Sequence, residues 1–381
     1  MKCMMRPIRI AICVFATLFT QLAFAQFVPD QTDPAAKLVA YVYISNNTWS
    51  EINAFVAASN GQLTPVSGSP FPGNVGYLAA NSTYLFGDDN VDIYTYSIAG
   101  DGAPTQVSSI NAEQYGNNCG PYALFLDRTG ATLYDRVYEC DSSDAYQFLS
   151  IQPSAGDLTY LGVTDSTTAY YVPLSFLASN LHAYGAQCNG NMYWSIFAFQ
   201  RNQDGTLTPL NASLPTPAPK KGTFYCPNLT TTDNSSHVVI PMQAVLQQSF
   251  GSDGLPQMAT YTADSSGNLT TKSTYSNMPR TAVKSVNDIL FSPSGKLVAV
   301  GGTAGLQIFH FNGAEPLTRA TGLLTTYEID QFFWDNANHL YAISQSAGKL
   351  FVFTITPTGA KQAPGSPYAI TNPANIAVMP K

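Results

Sequence analysis

Apolar residues along this chain come in short runs, some alternating with polar positions and some continuous, and no long segment shows the period of an amphipathic helix. Continuous runs such as Tyr41-Val42-Tyr43-Ile44, Leu133-Tyr134, Leu297-Val298-Ala299-Val300 and Leu340-Tyr341-Ala342-Ile343 each follow a turn. Alternating runs follow them, as in Ile52-Asn53-Ala54-Phe55, Ile93-Tyr94-Thr95-Tyr96, Ile196-Phe197-Ala198-Phe199, Ile308-Phe309-His310-Phe311 and Phe351-Val352-Phe353-Thr354. A glycine turn then leads into a Leu-Thr segment. The pattern predicts antiparallel hairpins built of short, β-branched and aromatic strands, with no room for intervening helices.

The hairpins repeat. Gly61-Gln62-Leu63-Thr64-Pro65 recurs as Gly156-Asp157-Leu158-Thr159, Gly205-Thr206-Leu207-Thr208-Pro209 and Gly267-Asn268-Leu269-Thr270, with looser copies at Gly102, Gly313 and Gly359. Six steps separate Gly61 from Gly359, about 50 residues each, the length of a four-stranded propeller blade. With strands lettered a to d from the inside out, the first strand b, Leu38 to Ile44, has no strand a before it. Pro373-Ala374-Asn375-Ile376-Ala377-Val378 at the other terminus supplies one, and Gly68-Ser69-Pro70-Phe71 and Gly365-Ser366-Pro367-Tyr368 flank this seam. The fold class is therefore all-β: a seven-bladed β-propeller of four-stranded antiparallel blades, closed by a blade that both termini share, which leaves no edge strand exposed at a ring end. Inner strands are expected to begin near Val75, Pro121, Pro173, Pro227, Val286, Ile329 and Pro373.

Residues 1–25 carry Lys2, Arg6 and Arg9, an apolar run from Ile10 to Phe24 and the small-x-small end Ala23-Phe24-Ala25, the build of a secretory signal peptide. Residues 26–37 are expected to be a linker and 38–381 the propeller, a monomer exported to the periplasm or beyond, with no membrane span once the signal is removed. The formal charge of −7 becomes more negative without that segment, which argues against nucleic acid or anionic lipid as a partner. Four cysteines remain, an even number that reads as two disulfides in an exported protein. Cys119 and Cys140 are equidistant from the turn Asp127-Arg128-Thr129-Gly130 and so face each other across a hairpin. Cys188 and Cys226 fall on the same rim and can bridge neighbouring blades. All four lie where loops d-to-a and b-to-c emerge, which marks that rim as the functional face.

The segment Asp288-Ile289-Leu290-Phe291-Ser292-Pro293-Ser294-Gly295-Lys296-Leu297-Val298-Ala299-Val300, together with the Gly-x-Leu-Thr-Pro strands, resembles the lactonase family of seven-bladed propellers. That family includes bacterial 6-phosphogluconolactonases and fungal carboxymuconate lactonizing enzymes, and the resemblance spans Leu38 to Pro380. It implies a histidine, with arginine and glutamate nearby, at the inner-strand rim of the channel. The aligned positions here are Ala123, Ser175, Leu229, Asp288, Gln331 and Asn375, and none is histidine. His182, His237 and His339 fall near or in strand b and His310 in strand c, as structural or surface histidines would.

If the chain is a lactonase-type hydrolase, Asp288 is the candidate catalytic base, in a charged cluster with Arg280, Lys284, Glu328 and Asp330 at the channel mouth. Otherwise these residues, with Gln331 and Asn375, form a ligand-binding rim. Rim tyrosines Tyr115, Tyr122, Tyr170, Tyr171 and Tyr225 can stack on a planar ligand. The expected function is that of a lactonase-like binding module for a small molecule, glycan or protein on this face, the alternative being hydrolysis of a sugar-acid lactone. No cofactor and no metal is expected. Asp88, Asn90 and Asp92 open like a calcium loop, but Ile93 stands where that loop needs glycine and Ala99 where it needs glutamate, so an ordinary polar turn is the reading. Asn46-Asn47-Thr48, Asn81-Ser82-Thr83 and Asn228-Leu229-Thr230 are glycosylation sequons.

Overall fold

The computed structural model describes residues 37–113, 121–138, 144–164, 172–188 and 194–381. Its strands form seven sheets, each with a meander of four antiparallel strands, in the ring that the repeat predicts. Blade 1 closes the ring: Pro373–Pro380 is its inner strand and pairs with Leu38–Asn46, which pairs with Glu51–Ala58 and then Leu63–Pro65. Its register sets Met379 opposite Tyr41 and Asn375 opposite Ser45. The inner strands of blades 2, 3, 4, 6 and 7 are Tyr77–Ala80, Pro121–Leu126, Ser175–Phe176, Val286–Phe291 and Gln331–Trp334.

Blade 5 departs from the pattern. Its inner strand is split into Thr223–Pro227 and Thr231–Thr232, both paired with His237–Leu246. The break lies opposite Pro241, which has no N–H to donate to an inner strand. Leu229 takes a left-handed φ of 64° there, and its N–H turns to the Ala186 carbonyl of blade 4.

Packing between blades explains the repeat. Gly61, Gly102, Gly156, Gly205 and Gly267 sit in c-to-d turns against strand b of the preceding blade. At Gly205 φ is 98°, and a Cβ would lie 2.5 Å from Thr132 Oγ1, so only glycine fits. Strand b tyrosines donate across the same junction: Tyr43 to the Gly102 carbonyl at 3.0 Å, Tyr134 to Gly205 at 2.7 Å and Tyr184 to Gly267 at 2.9 Å. These three rings are fully buried, and burial pushes their hydroxyls far above the usual tyrosine range. The Gly-Ser-Pro motif beside the seam also has a local cause. Ser69 Oγ accepts the Ala54 N–H and Ser366 Oγ the Val352 N–H, each at 2.9 Å, and a short extra strand follows on blades 1 and 7.

Candidate functional site at the propeller channel

The turns from strand a to strand b form one face of the ring, and aspartates shape three of them. Oδ1 of Asp233 and of Asp335 accepts the backbone N–H four residues on, from His237 at 2.9 Å and from His339 at 2.8 Å. Their Oδ2 atoms meet the ring Nδ1 of the same histidines at 2.8 and 2.7 Å, so both histidines are turn braces away from the channel. Asp127 plays the same part in blade 3, and its buried Oδ2 pairs with Arg201 of blade 4 at 2.8 Å.

The channel itself is a cavity of about 320 Å³ to which all seven inner strands contribute. Its wall is mainly apolar, with Leu78, Leu124, Leu174, Leu229, Ile289 and Phe333 among the lining, and Asp288 is the one ionisable group among the described residues that line it. Burial pushes the Asp288 carboxyl up to about 7, while the N–H groups of Phe332 and Ile289 pull the other way. Those two bonds define what Asp288 does: Oδ2 accepts from Phe332 N in the next blade at 2.9 Å, and Oδ1 from Ile289 N at 2.7 Å.

The same clasp recurs around the ring. Gln331 Oε1 accepts the Ile376 N–H and Asn375 Oδ1 the Leu78 N–H, both at 2.9 Å, each reaching into the following blade. Two residues further along its strand, Thr231 Oγ1 accepts the Phe291 N–H at 3.1 Å. An inner strand has one unpaired edge, and its N–H groups need acceptors once buried. The polar residues at the inner-strand rim answer that need.

The charged cluster expected around Asp288 does not form. Arg280 donates to the Tyr275 hydroxyl at 3.0 Å and lies over that ring. Lys284 is exposed in a left-handed turn, and none of the ion pairs among the described residues joins either cation to Asp288, Glu328 or Asp330. Glu328 accepts from Asn287 Nδ2 at 3.3 Å, and Asp330 from the Gln345 N–H at 2.7 Å. Burial and the Glu328 charge together raise the Asp330 carboxyl. Tyr225 is also no ligand platform: its ring is buried between blades 4 and 5, and its hydroxyl donates to Gln257 Oε1 at 3.0 Å. Ser175 is not the equivalent of Asp288. Counted from the a-to-b turns, that position is Pro173, and Ser175 lies deeper in the channel, donating to the Thr230 carbonyl at 2.7 Å.

On the rim opposite the a-to-b turns, Cys188 and Cys226 form a disulfide with Cα atoms 5.2 Å apart, tying strand b of blade 4 to strand a of blade 5. Cys119, Cys140, Tyr115, Tyr170 and Tyr171 lie outside the described residues, as does the side chain of Tyr122. The oxygens of the Asp88–Asp92 turn do not converge. Asp89 accepts the Val91 and Asp92 N–H groups, Asn74 Nδ2 and the Tyr94 hydroxyl, while Asp92 accepts Asn111 Nδ2. Asp88 is fully buried, and burial holds its carboxyl well above the usual carboxylate range, against the pull of the Asn90 N–H. Sequon asparagines Asn81 and Asn228 donate to the Gly130 and Val286 carbonyls of neighbouring blades, bonds that a sugar would break.

A feature that sequence reasoning missed lies at the other end of the channel. The a-to-b turns surround a recess of about 610 Å³ whose lining includes Arg128, Asn234, Asn336, Phe291, Thr231 and Trp334. Leu126, Leu174, Ser175, Leu290 and Phe333 line both this recess and the channel cavity, so one leads into the other. The Arg128 guanidinium donates to Asn234 Oδ1, and its backbone N–H to Asn180 Oδ1 at 3.0 Å. Asn234 in turn donates to the Pro293 carbonyl at 2.6 Å, and Asn180 to Asp127 Oδ2 at 2.9 Å. This belt joins the turns of blades 3 to 6. The available signal was a single arginine among turns otherwise rich in Asn, Asp and Ser.

Neither a family model nor a curated protein matches the chain. Solved structures do. The periplasmic gluconolactonase of Pseudomonas aeruginosa superposes with a TM-score of 0.62 at 14% identity, over 89% of this chain and 99% of that one. A candidate 6-phosphogluconolactonase from Bacteroides uniformis gives 0.60 at 14% identity, covering 90% of this chain and 100% of its own. A hypothetical selenium-binding protein from Sulfolobus tokodaii gives 0.57 at 9% identity, over 91% of this chain and 94% of that one. The chain thus shares the fold of the lactonase-like propellers, and at such identity the likeness extends to the fold alone.

Proposed function

We propose that the chain is an exported lactonase-like propeller that binds a small molecule in its channel without hydrolysing it. The observation that carries this reading is that no histidine, lysine or arginine is among the described residues lining the cavity, where both Asp288 oxygens already accept backbone N–H groups. Attack of water on a lactone needs a positioned base and a donor or cation to stabilise the oxyanion. Arg128 is a candidate for the second role, yet it projects from the a-to-b turn of blade 3, at the recess end of the channel. Asp288 lies four positions before Ser292, where the corresponding turn of blade 6 begins, roughly 13 Å of strand rise, too far for both groups to act on one carbonyl. An apolar wall suits a ligand with an apolar body, held by few polar contacts.

Export is supported by the charged and apolar pattern of residues 1–25, by the Cys188–Cys226 disulfide and by the fold shared with a periplasmic protein. Among the described residues no helix is long and apolar enough to cross a membrane.

Hydrolysis is the second reading, favoured by a carboxyl at about 7 in a cleft, where a general base is effective. Purified protein assayed against a panel of sugar-acid lactones separates the two. We expect no turnover, and thermal stabilisation by those panel members that bind. Turnover that disappears in Asp288→Asn would establish the hydrolase and overturn the binding reading.

A further inference from the structure

We infer that the recess on the a-to-b-turn face is a second binding site, for the carboxylate of a small organic acid, with Arg128 as its anchor. The protein carries a net charge of −7, yet this concavity presents an arginine as its cation. The two acids nearest in sequence and charge are already engaged. Asp127 pairs with Arg201, and Asp233 accepts from the Ser235 and His237 backbone and meets the His237 ring. Arg128 is in none of the ion pairs among the described residues.

It is nevertheless held in place, by Asn234 at the guanidinium and by Asn180 at the backbone, which removes much of the rotamer entropy that an unrestrained arginine loses on binding. One guanidinium edge on Asn234 leaves further N–H groups in the planar fork, the arrangement that fits a carboxylate in two-point contact. Partial desolvation, which lowers the guanidinium pKa, is what a cation at a concave mouth experiences and what strengthens its attraction for an anion. The rest of the recess is partly aromatic and apolar, with Phe291, Phe333, Trp334 and Pro293. An acid with a ring or short hydrocarbon body matches that lining better than a bare inorganic anion does.

The site stands apart from the channel reading: lactone turnover would overturn the latter and leave this inference intact. The test titrates the whole protein with benzoate, gluconate, inorganic phosphate and neutral benzamide, following Trp334 emission and thermal midpoint. Saturable binding of a carboxylate, absent with benzamide, is expected, weakened at least tenfold in Arg128→Gln and partly retained in Arg128→Lys, which keeps charge but loses the fork. Trp334→Phe should abolish the optical signal and keep the thermal shift. Equal binding by wild type and Arg128→Gln, tighter binding of phosphate than of either carboxylate, or no saturable response to either carboxylate would each overturn the assignment.

Discussion

Blades 5, 6, 7 and 1 are joined along the channel by polar side chains reaching backbone N–H groups, whereas blades 3 and 4 present Ala123 and Pro173 at the corresponding inner positions, which can make no such bond. On that side other links act. Phe125 stacks on Tyr134 within blade 3 at 5.4 Å, Tyr134 packs tilted against Phe176 of blade 4 at 5.0 Å, Asp127 pairs with Arg201, and the disulfide joins blades 4 and 5. The comparison shows that a polar residue at the inner rim of a propeller can be a structural joint, and that a ring missing such joints closes by aromatic packing, a buried ion pair and a covalent bond.

Breaking the second set should have the largest effect. Arg201→Ala leaves the fully buried Asp127 carboxylate without its cation, and a loss of about 3–5 kcal/mol in denaturant unfolding is expected. A loss below about 1 kcal/mol would mean that the Asn180 and Thr129 bonds to Asp127 suffice. Reducing Cys188–Cys226, or replacing both residues by serine, should cost about 2–4 kcal/mol for a cross-link spanning 38 residues. An unchanged melting temperature under reducing conditions would show the blade 4–5 junction to be held by packing alone.

On the clasped side, Gln331→Ala and Asn375→Ala each orphan one backbone N–H, and a loss of about 1–3 kcal/mol is expected from calorimetry, with the two effects coupled rather than additive because Asn375 adjoins Ile376, the partner of Gln331. Asp288 sharpens the contrast through pH. Because its folded-state carboxyl is raised to about 7, the stability linked to its protonation is fully present below its unfolded value and lost as pH rises through 7. Wild type should therefore lose stability relative to Asp288→Asn between about pH 4 and 7; parallel stability curves for the two proteins would contradict this. Asp88 runs in the same direction, so Asp88→Asn should gain stability on wild type as pH rises. The smallest effect belongs to Arg280→Ala, on an exposed arginine against Tyr275, at about 0.5 kcal/mol or less.

Much of this architecture was legible in residue order. The Gly-x-Leu-Thr period, the missing first strand a and the Pro373–Val378 segment that replaces it are local patterns, and strand pairing follows them. The proximity of Cys188 and Cys226 was legible for the same reason, since blade position fixes rim position. Errors arose where a residue's role depends on which edge it meets. Tyr225 reads as a rim aromatic because it neighbours a cysteine, yet strand alternation turns it into the core beside Gln257. Arg280 precedes the channel strand by only a few residues, but the chain is still on the outer side of the blade there, beside Tyr275.

Residue order by itself determined the blade number, the seam and the strand order, because hydrophobic periodicity and turn chemistry act between residues close in the chain. Tertiary structure alone decided that Asp288, Gln331 and Asn375 are joints and that Arg128 faces a recess with no carboxylate partner among the described residues. Those roles are set by the neighbouring blade, about 50 residues away in the repeat and in contact only once the ring has closed. A side chain's chemistry is read from its letter, but the group it must satisfy is supplied by the fold.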